Sequence, residues 1–232
     1  DELMPVNIEI KGNLARLLAT ENLIVEHKQV ETAMFDVDRR VLTLPMWKKA
    51  SNTVYDMLVA HEVGHALFTP FREWNLEDEY RNIPPDFVNV VEDARIERLM
   101  KKKFAGLSRD FYSAYSELNQ DDFFCVADED LNNLKLIDKI NLYFKIGHSL
   151  MVEFSPEEQK IVNQINTKMD TWEKVVKVAD YLYELSKLEK LQPQTDTSAQ
   201  SVETSEGDGD AIPQDFDERE SEENDTNDSL GG

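Results

Sequence analysis

The chain has 232 residues, 41% of them hydrophobic, and a net charge of −22 at pH 7. That length admits one sizeable domain with extras or two small ones, and the negative charge repels nucleic-acid phosphates, which argues against direct DNA or RNA binding. The single cysteine, Cys125, excludes an intrachain disulfide and fits a reducing compartment; with no 18-residue apolar run and no basic-then-apolar leader, a soluble cytoplasmic protein without a membrane partner is expected.

In chain order, Ile8–Leu18 predicts a short helix. Leu23–Glu26, Thr32–Val37 and Val41–Leu44 predict strands, the last two joined into a hairpin by the polar run Asp36–Arg40. Ser51, Asn52 and Thr53 offer N-cap oxygens to a helix over Val54–Phe68, which Pro70 stops. Pro84-Pro85-Asp86 starts a second strong helix, Phe87–Lys103, closed by Gly106; its last turn, Lys101–Lys103, places cations where the helix dipole favours them. Helices follow over Asp110–Asn119, Leu131–Glu153, Pro156–Lys168 and Thr171–Leu191. From Leu191 to Gly232 there are 13 acidic residues against Arg219 alone, so this stretch carries −12 and the rest of the chain −10. Nearly every residue there is polar, acidic, Gly or Pro, which cannot bury enough apolar surface to offset chain entropy; residues 192–232 are expected to be a disordered acidic tail.

The chemistry-bearing signal is His61-Glu62-Val63-Gly64-His65. Histidines four apart stand one turn from each other on one helix face, so both imidazoles can reach a single ion, and Glu62 beside them can take a proton from water. The surrounding Leu58, Val59, Ala60, Ala66 and Leu67 make this helix apolar nearly all round, as a buried helix is. Three ionisable groups inside it want a partner, and a cation is one. A third ligand should come from Val90–Glu97. On a helical wheel started at Phe87 the apolar residues centre near about 50°, Glu92 falls at about 140° on the border of that face, and Asp93 at about 240° on the far side. Glu92 is therefore the expected third ligand. A salt bridge to Arg95, which points inward on the same wheel, is the competing use of its carboxylate. Asp93 as ligand with Glu97 as the outer partner is the alternative arrangement.

With these residues in view the chain resembles gluzincin-type zinc metallopeptidases, in which two motif histidines and a downstream helical glutamate hold the metal. More narrowly, Ala60–Thr69 and Val90–Glu97 are similar to peptidases of large tailed phages, themselves related to cobaltochelatase-associated proteins in which an acidic linker leads to a von Willebrand factor A domain. The resemblance covers about residues 30 to 115. It implies one Zn2+ per chain on His61, His65 and Glu92, with Glu62 as general base hydrolysing a peptide or protein substrate, and a zincin-like fold. The chain departs from the pattern in two places. Ile96 stands where many gluzincins carry an Asp supporting a ligand histidine, so Asp56 or Asp93 is the expected support. These 232 residues include no von Willebrand domain after the acidic stretch, so on the family reading the chain is expected to be a fragment or a trimmed form.

The expected architecture is thus α+β: residues 1–191 form a zincin-like metallopeptidase domain, with a small N-terminal sheet and active-site helix in 1–80 and a mainly helical part in 81–191. Arg109, Tyr112, Tyr115 and His148 are the candidate donors to an oxyanion. Trp47, Trp74 and Trp172 read as core or groove fillers, and Cys125 as a small buried hydrophobe. The alternative function is a zinc-stabilised adaptor or assembly module of the chelatase-associated type, with a protein partner recruited by the acidic tail or by a missing C-terminal domain.

Overall fold

The computed structural model describes residues 13–47, 50–70 and 82–190. The expected disordered tail, Trp74 and the start of the first predicted helix lie outside these. The fold is mixed α and β, mostly helical: α1 (Asn13–Thr20), β1 (Ile24–His27), β2 (Met34–Asp36), β3 (Val41–Leu44), α2 (Asn52–Phe68), α3 (Pro85–Lys103), α4 (Leu107–Gln120), α5 (Leu136–Ile146), α6 (Pro156–Lys168) and α7 (Trp172–Glu189). No helix among the described residues is long and apolar enough to cross a membrane.

The predicted hairpin is present. β2 pairs antiparallel with β3, Phe35 opposite Leu42, and Asp36 closes the turn by accepting from the amides of Asp38 and Arg39 while Arg40 takes a positive φ of 57°. β1 then pairs with the other edge of β3 in parallel, Ile24 opposite Val41, so the sheet order is β1-β3-β2 and β3 is central. Its Val41, Leu42 and Leu44 are buried for that reason. The Leu131–Glu153 helix is shorter than expected. Asp130 caps a single 3-10 turn, α5 begins at Leu136, and the chain leaves the helix at Gly147. Cys125 is exposed, in a turn with φ 56°, where the sequence suggested a buried thiol.

The interior holds two apolar clusters that do not follow chain order. One gathers α1, the sheet, α2, α4, Met100 and the end of α5; the other gathers the first half of α3, the start of α5, α6 and α7. Helix α3 belongs to both and touches α2, α4, α5, α6 and α7. Ser51 caps α2 by accepting from the Val54 amide at 3.2 Å, and every residue from Val54 to His65 except half-buried Asp56 is buried. On α3, Val91 through Glu97 are buried without interruption. The two helices cross at Gly64. A Cβ there would stand 2.8 Å from Ile96 Cδ1 and 3.0 Å from Met100 Cγ, so the absence of a side chain allows the close approach.

Candidate metal centre

The crossing at Gly64 lays the stripe His61, Gly64, His65 of α2 against the stripe Asp93, Ile96, Glu97, Met100 of α3. Four-residue spacing on one helix meets four-residue spacing on the other. His61, His65 and Asp93 converge, each buried, with exposures of 1%, 7% and 6%. The Nε2 atoms of the two histidines are 3.2 Å apart, and Asp93 Oδ1 lies 3.1 Å from His65 Nε2 and 3.5 Å from His61 Nε2.

The other ring nitrogens decide what those Nε2 atoms offer. His61 Nδ1 lies 2.9 Å from Glu97 Oε1, an oxygen that also accepts the hydroxyl proton of buried Tyr115. A carboxylate oxygen so placed can only accept, so His61 carries its proton on Nδ1. His65 Nδ1 lies 2.8 Å from Thr69 Oγ1, and Thr69 donates its own proton to Glu92 Oε1 at 2.8 Å. The hydroxyl therefore accepts from His65, which is also an Nδ1–H tautomer. Both neutral rings turn an Nε2 lone pair toward the same point that Asp93 Oδ1 faces. Three acceptors meeting there repel one another unless a proton or a cation sits among them. Without metal, a proton on His65 would serve, converting it to an imidazolium that donates to both neighbours.

A zinc ion fits this donor set. Bonds of about 2.0–2.1 Å at tetrahedral angles require donor atoms about 3.3 Å apart, which the separations of 3.1, 3.2 and 3.5 Å bracket. The two imidazoles, borderline-soft ligands, suit zinc better than calcium or magnesium, which prefer all-oxygen sets.

Glu92 is not at this point. It is fully buried, gripped by Arg95 through Nε to Oε2 and Nη2 to Oε1, both at 2.8 Å, and Arg95 Nη2 also donates to the Phe68 carbonyl at 2.7 Å. The expected third donor is thus an outer partner that orients His65 through Thr69, and Asp93 takes the place facing the histidines. The reason lies in α3. The wheel treated 240° as a solvent side, but α3 has no solvent side over this stretch, and its second buried face is the one turned to α2. Glu97 meets His61 Nδ1, as in the alternative pairing of Asp93 with Glu97 and not in the preferred reading, which sought that support in Asp56 or Asp93; outer acceptors of this kind fix a histidine's tautomer. Thr69 and Tyr115 were not expected in these roles, though Thr69, four residues past His65 on the same helix face, was within reach of that signal.

Glu62 follows His61 on α2 and is buried, 6% exposed. Of the candidate oxyanion donors, Tyr115 is committed to Glu97, and Arg109, Tyr112 and His148 are exposed. Tyr112 lies against His148 with the rings tilted by 35°, and His148 Nε2 meets Ser116 Oγ at 2.9 Å, a surface cluster between the middle of α4 and the residues just after α5. Burial and the Lys101 charge hold the His148 imidazole below its usual value. Asp56 is half-buried in front of Asp110, and both burial and that second carboxylate push its pKa up. Neighbouring Tyr55 bonds His27 Nε2 at 2.8 Å and is pushed up to about 12, by burial first and Asp56 second. No protein-family model, curated protein or solved structure matches the chain.

Proposed function

We propose that the chain is a zinc-dependent peptidase of the zincin type, with His61, His65 and Asp93 as ligands and Glu62 as general base. The observation that carries this is the triangle of three acceptor atoms from two facing helices, at separations of 3.1 to 3.5 Å. An ion bound there supplies Lewis acidity, which makes water a nucleophile at neutral pH and polarises a carbonyl. The chain's own residues do the rest. Glu97 and Thr69 hold the imidazoles in the tautomer and orientation that aim their lone pairs inward. Glu62, one residue past His61, offers the carboxylate that takes a proton from the attacking water and returns it to the departing amine.

Glu62 beside the histidines supports a hydrolase over a zinc-stabilised adaptor, since a purely structural site has no need of a base. That the bond cleaved is a peptide, and that the fold is zincin-like, rest on the resemblance of the two motifs. One observation favours the adaptor or assembly-module reading: the donors are deeply buried, His61 at 1% exposure. Glu62→Gln separates the two. Zinc content and melting temperature should be retained, while cleavage of a broad peptide mixture falls by about 10²–10⁴-fold, the contribution of one positioned base. Equal cleavage by both proteins removes Glu62 from the mechanism, and no cleavage by zinc-loaded wild type leaves the adaptor ahead.

A further inference from the structure

The two oxygens of Asp93 have different partners. Oδ1 faces the histidines, while Oδ2 lies 3.3 Å from Nζ of Lys145. Lys145 is 8% exposed and sits on α5, whose Leu136, Ile137 and Ile140 pack in one apolar cluster and whose Leu142 and Ile146 pack in the other. The lysine therefore emerges at the seam where the metal centre lies. Packing alone does not call for an ammonium here, since an unbranched apolar side chain fills the same channel without the desolvation that a buried cation suffers. Nor is a second cation next to a metal site a neutral choice, because it opposes the charge of the ion.

We propose that Lys145 is a positioning residue of the metal centre: by holding Asp93 Oδ2, it limits Asp93 to one donor oxygen and so selects a small ion of low coordination number. A carboxylate with both oxygens available adapts to larger, oxygen-preferring ions of higher coordination number, whereas a one-oxygen carboxylate beside two imidazoles suits zinc. The inference rests on the metal-centre reading above and adds to it the device that sets which metal is held.

The test uses the full chain, stripped of metal and titrated separately with zinc, manganese(II) and cobalt(II), for wild type and Lys145→Met, with folding followed by circular dichroism. Wild type should give the intense visible absorption of four-coordinate cobalt. In K145M that band should weaken as the second oxygen joins the donor set, and the zinc-to-manganese affinity ratio should fall by about tenfold or more, the lower end of what outer partners contribute. Should K145M not fold, Lys145→Gln, which keeps a polar end but cannot hold the charge, is measured in its place. An unchanged spectrum and ratio in a folded variant overturns the role of Lys145 and leaves the metal centre standing. Wild type that takes up neither zinc nor cobalt overturns both.

Discussion

Adjacent acidic residues, Glu92 and Asp93, have been given different work, and a zinc-dependent melting experiment tells them apart. An ion that binds only the folded chain stabilises it by RT ln(1 + [Zn]/Kd), about 2.7 kcal/mol at 100 times Kd. For a domain of this size, at roughly 2–4 °C per kcal/mol, that is an increment of about 5–11 °C over the metal-stripped protein. Asp93→Asn replaces the anionic oxygen that stands 3.1 Å from His65 Nε2 with a neutral, weakly ligating amide oxygen, and most of the increment should vanish. Glu92→Gln removes an outer partner two hydrogen bonds from the centre, through Thr69 to His65. If that weakens binding about tenfold, the same zinc concentration still yields about 1.4 kcal/mol, or about 3–6 °C. The metal-free baselines should both fall, since Asp93→Asn likewise leaves the buried Lys145 ammonium without its carboxylate. Glu92→Gln leaves the Arg95 guanidinium buried with no carboxylate, which costs about 3–5 kcal/mol, so its melting point should drop before any zinc is added. Differential scanning calorimetry of stripped protein in a zinc buffer reads both quantities. An increment kept by Asp93→Asn and lost by Glu92→Gln would refute the assignment of Asp93.

Gly64→Ala should destabilise by about 1–3 kcal/mol, the range for overpacking a tight core, and should weaken zinc binding as well, because the new Cβ at 2.8 Å from Ile96 Cδ1 presses apart the two helices that carry the donors; urea melts and zinc titration of the same sample measure the pair. Asp56→Asn should stabilise the fold at neutral pH. The native carboxyl has its pKa raised by burial and Asp110, so ionisation above that value weakens the folded state, and the gap between variant and wild type should close as pH falls below the ordinary value of 3.8. Denaturant midpoints at pH 7 and pH 3.5 check the sign, and a gap that widens in acid would contradict it.

Much of this arrangement was legible in the residue order. Periodicity and capping placed α2 within two residues of its bounds, because Ser51 and Pro70 punctuate a helix that is apolar throughout. The Asp36–Arg40 turn gave the hairpin for an equally local reason. The pairing of β1 with β3 was not legible, since a parallel partner is chosen by tertiary packing and leaves no turn signature. Glu92 was preferred over Asp93 as the residue facing the histidines through an assumption about burial. A helical wheel assigns one inward face, and α3 presents Val91 and Ala94 to one cluster while Asp93, Ile96, Glu97 and Met100 meet α2. The alternative pairing had its own signal, the spacing of Asp93 and Glu97, which matches that of His61 and His65. Lys145 carried no local mark at all, being one lysine among several on a helix whose surroundings only the fold defines.

The membership of α3 in both apolar clusters bears on how the molecule comes apart. α3 gives Phe87, Val88, Val91 and Ala94 to one cluster and Met100 to the other, so its amide protons are expected to be among the slowest to exchange with solvent. The helix also holds Glu92, Asp93, Arg95 and Glu97 side by side out of water, and each is satisfied by a side chain from somewhere else along the chain or one turn away. Such a segment has little reason to be ordered by itself. The juxtaposition of His61, His65 and Asp93 therefore exists only where α2 and α3 are docked, and no isolated piece of either helix carries it.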